Sequence, residues 1–126
     1  MVTADVAQLS RECNTWREAL RSQREDFSHL KHELQQAAAH ISDHEALKEV
    51  EHYHNQFHIQ LINIHDLKQA IKSHEKKASI QIHSTDNRTS EEVVADHEKL
   101  YEEYQHLDHT LQNLKSEFQN FLQHTQ

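Results

Sequence analysis

Apolar residues recur along this chain in steps of four and three. The first series runs Val2, Val6, Leu9, Cys13, Trp16, Leu20, Gln23, Phe27, Leu30, Leu34, Ala37, Ile41, and only Gln23 is polar. A period of 3.5 residues places such positions on one seam of a helix of the coiled-coil type. The third series, Val93, His97, Leu100, Tyr104, Leu107, Leu111, Leu114, Phe118, Phe121, Thr125, steps the same way throughout. The middle series, Leu47, Val50, His54, Phe57, Leu61, Ile64, Lys68, Ile71, Glu75, Ala78, Ile82, is less regular, with Tyr53 and Leu67 widening it on one side. A wider stripe suits a helix with two neighbours.

The breaks between the series set the elements. Ser42-Asp43-His44-Glu45 has the form of a capping box, with Ser42 as N-cap. It predicts a tight corner near residues 40–43, with an uninterrupted helix as the alternative. Residues 83–89 read HSTDNRT and predict a polar loop. Thr89-Ser90-Glu91-Glu92 offers a second capping box. The expected domain is residues 1–126, with helices at about 3–41, 43–82 and 90–125. Short corners make consecutive helices antiparallel. The fold class is therefore all-α: an elongated, antiparallel, up-down-up, coiled-coil-like three-helix bundle. Folding the chain at both corners sets Gln23 level with Leu61 and Gln112. It also allows flanking ion pairs Arg17–Glu103 and Lys31–Glu117.

Composition supports this reading. The 126 residues include no glycine and no proline, where average usage is roughly 7% and 5%. Their absence removes the usual makers of tight turns and left-handed caps, so a few long helices must make up the chain. Three helices, heptad seams and Trp16 in the core of the first helix resemble a spectrin-type repeat in architecture, although such repeats usually come in tandem and one unit is present here.

The net charge is −8 with histidines neutral. That balance argues against a nucleic-acid partner and against docking on an anionic membrane. No apolar run approaches the ~18 residues of a membrane span, and the start MVTADVAQL lacks the pattern of a signal peptide. A lone cysteine, Cys13, cannot form an internal disulfide. A cytoplasmic location is the expectation.

Fourteen histidines are the unusual feature, and most are expected to be solvated. Pairs three or four apart, such as His29/His32, His54/His58 and His106/His109, share a helix face and can share a metal ion. Glu51-x-x-His54 and Glu103-x-x-His106 match half of a di-iron motif, but the other inward glutamates are missing. The preferred metal site is His40, His44 and His124, which converge at the first corner and could hold a surface Zn²⁺ or Ni²⁺. His54 and His97 fall on seams and could sense pH from the core. Cys13 on its seam reads as a small hydrophobe rather than a nucleophile. A glycine-free chain has no phosphate loop. Ile59 and Ile62 lie opposite the second seam, where they could meet another helix. The expected function is a non-enzymatic scaffold, adaptor or protein-interaction domain without a required cofactor. It would bind a protein partner or itself through helix faces. The alternative is a histidine-mediated Zn or Ni binder.

Overall fold

The computed structural model describes residues 6–81 and 88–125, with side chains over 7–80 and 91–125. Three helices follow one another: α1 (Val6–Ala38), α2 (His44–Gln81) and α3 (Arg88–Thr125). The longer two have 38 residues each, or about 57 Å at 1.5 Å per residue. All three pack around one core, and among the described residues there is no strand. The chain is thus the expected all-α three-helix bundle. No described helix is long and apolar enough to cross a membrane.

The first corner is closed without glycine. His40 N–H donates to Ala37 O at 3.1 Å and Ile41 N–H to Ala38 O at 3.3 Å. These three-residue turns tighten the helix end and satisfy carbonyls that a left-handed glycine cap would otherwise reach. No described residue has positive φ. The N-cap of α2 is Asp43 and not the expected Ser42: Ala46 N–H donates to Asp43 Oδ2 at 3.0 Å, and Leu47 N–H to Asp43 O at 3.0 Å. A carboxylate at this position also faces the positive end of the helix dipole. At the second corner α3 is already helical at Arg88, so Thr89 lies inside the helix instead of capping it. Val2, Ile82 and residues 83–87 of the expected loop lie outside the described residues.

The seams of α1 and α3 bury as their spacing requires. Leu9, Cys13, Trp16, Leu20, Gln23, Phe27, Leu30 and Leu34 are buried on α1, and Val93, His97, Leu100, Leu107, Leu111, Leu114, Phe118 and Phe121 on α3. In α2 alternate seam positions are displaced by one residue. Phe57, Ile64, Ile71 and Ala78 are buried as expected, but between them the core takes Tyr53, Gln60, Leu67 and His74. His54 is exposed, and Leu61, Lys68 and Glu75 are only half-buried at the margin. Being the helix between two neighbours, α2 buries a broad stripe whose deeper edge is the Tyr53 row.

Three levels of the core differ in chemistry. Near the first corner an aromatic cluster packs edge to face: Phe57–Phe118 centroids are 5.0 Å apart, Tyr53–Phe118 5.4 Å and Phe27–Phe57 5.6 Å. The Tyr53 hydroxyl donates to the carbonyl of Glu117 at 3.2 Å. Mid-bundle, the buried Gln23 donates to Asp108 at 3.0 Å, and Asn63 donates to the buried Gln60 at 3.1 Å. At the far end lie Cys13, Trp16, His74 and His97.

Ion pairs differ from those expected between α1 and α3. Arg17 reaches Glu75 on α2 at 2.9 Å instead of Glu103. Lys115 joins Asp26 at 2.8 Å, with its ammonium 5.8 Å from the centroid of Phe27. Lys31–Glu117 is not among the ion pairs of the described residues.

Candidate metal centre

One side chain from each helix enters the far end of the core. Cys13 comes from α1, His74 from α2 and His97 from α3, with exposures of 0%, 6% and 1%. Each offers one metal-ligating atom, and these atoms all lie within 4.8 Å of one another. His74 Nε2 is 3.0 Å from His97 Nδ1, and Cys13 Sγ is 4.0 Å from the same nitrogen. Among the described residues this is the one group of three or more such ligands.

Glu12, one residue before Cys13, sets the orientation of His97. Its carboxylate Oε1 lies 3.0 Å from His97 Nε2. A carboxylate oxygen accepts, so in the neutral imidazole Nε2 carries the proton and Nδ1 turns its lone pair toward Cys13 and His74. His74 Nε2–H then donates to that lone pair. Trp16 stacks on the His97 ring at 4.6 Å and 27°, and on Tyr101 and Tyr104 at 5.5 and 6.0 Å. The imidazole is therefore fixed by ring contacts with Trp16 and His74 and by polar contacts with Glu12, His74 and Cys13. Glu75 is engaged elsewhere, accepting from the Ser10 hydroxyl at 3.0 Å and pairing with Arg17.

Burial governs the protonation of the other two groups. It pushes the Cys13 thiol up to about 12, with the nearby Glu75 carboxylate adding to the effect. The thiol is therefore protonated at neutral pH and a poor nucleophile. Burial, with the neighbouring His97 second, lowers the pKa of His74 below the usual 6.5, against a smaller opposing pull from Asp96. Unfolded chains protonate His74 near 6.5, so this group's contribution to stability is complete above that value. It is lost as pH falls from there toward the depressed folded value. The urea midpoint should accordingly drop between pH 7.5 and 5.5 by more in the parent than in His74→Leu. Equal drops would show that the His74 environment does not disfavour its charge.

The centre has the parts a transition metal needs. Bonds of roughly 2.0–2.3 Å to a common ion set ligand atoms about 3.3–3.8 Å apart, so the three side chains, at 3.0 and 4.0 Å from His97 Nδ1 and all within 4.8 Å, must close in on the sulfur side and open between the imidazoles to hold one. A metal-bound imidazole usually donates its other N–H to a carboxylate, which is the relation of Glu12 to His97.

The histidines singled out from the sequence are placed differently. His40, His44 and His124 share the first-corner end, but all three are exposed and they do not form a ligand group. His40 borders a groove with Glu33, Gln36 and Leu122, whereas His124 borders another with Asp43, Glu45 and Glu117. His44 borders neither of these grooves. His124 Nδ1 is also 2.7 Å from the carbonyl of Asn120, one turn back on its own helix. His54 is exposed and so is no core sensor; the buried imidazoles are His74 and His97, and the carboxylate beside His97 is Glu12. His29, His32, His58, His106 and His109 are exposed, as are Glu51 and Glu103 of the di-iron spacings. Ile59 and Ile62 are exposed on α2 at 45% and 47%. Neither a protein-family model, nor a curated protein, nor a solved structure matches this chain.

Proposed function

We propose that this chain is a metal-binding helical bundle whose ion ties the three helices together at Cys13, His74 and His97. The observation that carries this reading is the convergence of one ligand from each helix in the buried core, with Glu12 holding His97 in the ligating tautomer. A structural polar cluster needs hydrogen bonds, but it does not need a thiol beside two converging imidazole nitrogens. The reading is non-enzymatic, and it assigns no partner among nucleic acids or membranes, in keeping with the charge of −8. A thiol that must stay reduced suits the cytoplasm.

Native mass spectrometry after incubation with Zn²⁺, Co²⁺, Ni²⁺ or Cu⁺ tests the proposal. The parent should retain one ion of the preferred metal per chain, and the Cys13→Ala/His97→Leu variant none. Saturation a hundredfold above Kd should add about 2.7 kcal/mol to stability. If the parent retains none of the four ions, the cluster is a hydrogen-bonded core layer only.

A second reading, as a scaffold or adaptor working by helix-on-helix contact, is favoured by Ile59 and Ile62. They lie three apart and exposed on the outer face of α2, where an adjacent apolar pair can seat another helix. If that helix belongs to a second copy, Ile59→Lys/Ile62→Lys should lower the sedimenting mass while leaving helicity unchanged. The same mass in parent and variant would remove self-association from this reading.

A further inference from the structure

We infer that the ion held by Cys13, His74 and His97 is copper(I), in a three-coordinate site of one sulfur and two nitrogens. This rests on the metal-binding reading above and goes further by assigning the ion.

Three observations favour it. The first is ligand number. No fourth ligand atom joins the group among the described residues. Glu12 is committed to the far nitrogen of His97, and Glu75 to Ser10 and Arg17. Structural zinc sites take four protein ligands, and catalytic ones complete four with water. Here the three side chains are almost wholly buried, with Trp16 stacked against His97, so solvent has no open approach as a fourth ligand. The second is softness. Thiolate suits copper(I) and zinc, imidazole suits both, and of the two it is copper that takes a trigonal set of two histidines and one cysteine. The third is charge. One thiolate and two neutral imidazoles give a neutral complex with a monovalent ion, whereas a divalent ion leaves one positive charge to be offset by Glu12 beyond His97, since Glu75 is already paired with Arg17.

Binding is a simple exchange. The Cys13 S–H bond breaks as the S–Cu bond forms, and the thiol proton leaves to solvent. His74 moves its own proton from Nε2 to Nδ1 and offers Nε2 to the ion. No electron is transferred, and copper remains monovalent throughout.

The test is a titration of the metal-free chain with copper(I) under anaerobic, reducing conditions against a chromophoric copper(I) chelator, with a parallel competition by Zn²⁺. The expected result is one copper and one released proton per chain. Absorption at the copper edge should show three ligands, one sulfur and two nitrogens. Cys13→Ser and His74→Gln should each weaken copper(I) binding at least a hundredfold, with circular dichroism unchanged. Because the ligand count comes from the parent, it stands even if a variant fails to fold. Zn²⁺ displacing copper(I) at equal concentration, or a copper site with four ligands or without sulfur, overturns the assignment of the ion but leaves a metal centre. If the parent binds neither ion better than Cys13→Ser does, both readings fall.

Discussion

Phe57→Ala should destabilise the bundle by about 3–5 kcal/mol, the usual range for removing a phenylalanine ring from a packed core. Phe57 is completely buried and touches aromatic rings on both other helices, Phe27 on α1 and Phe118 on α3. Its removal opens a cavity that three stiff helices cannot easily close. The control lies two residues away: Ile59 is on the opposite, exposed face of the same helix, and Ile59→Ala should stay within about 0.5 kcal/mol. Urea denaturation of the two variants measures both. Similar midpoints would mean that the aromatic cluster contributes little and that the inner and outer faces of α2 have been misassigned.

The second large effect should come from His97→Ala. This side chain fills space under Trp16 and links two polar partners, Glu12 on one nitrogen and His74 on the other. Truncation leaves the buried His74 nitrogen without its partner, which costs roughly 1–3 kcal/mol, and adds a cavity term. His74→Ala removes the same bond from the other side. The double variant should therefore lose less than the sum of the two singles. A double-mutant cycle in metal-free buffer reads this directly. Strict additivity would mean that the two imidazoles do not interact in solution.

Much of the fold could be read from residue spacing, and the reason differs by helix. In α1 and α3 nearly every core position is apolar, so one phase of the repeat prevails. In α2 two rows compete between the fixed positions Phe57, Ile64, Ile71 and Ala78. One row holds His54, Leu61, Lys68 and Glu75; the other holds Tyr53, Gln60, Leu67 and His74. The second has two apolar members against one, and it is the buried one. Choosing it would have turned His74 inward, at the level of both Cys13 and His97. The site was thus within reach of the pattern, but only through long-range register, which local spacing does not encode. Glu12 shows the same limit from another side, since a half-exposed glutamate beside a seam carries no local mark of its bond to a histidine on α3. The first-corner histidines show a related limit: matching levels along the axis does not fix rotation about it, and His40 and His124 border different grooves. Asp43 over Ser42 was a choice between two adjacent capping residues, decided by where the chain completes its turn after the tightened end of α1.

The chain has a single tryptophan, and it lies face to face with the imidazole at the centre of the polar cluster. This stacking gives the protein its own optical gauge. The emission of an indole depends on the groups in contact with its ring, so that of Trp16 depends on how His97 is stacked against it. Tyr101 and Tyr104, at 5.5 and 6.0 Å, feed absorbed light to the same indole. Emission from this one ring therefore follows the packing of a group that solvent barely touches.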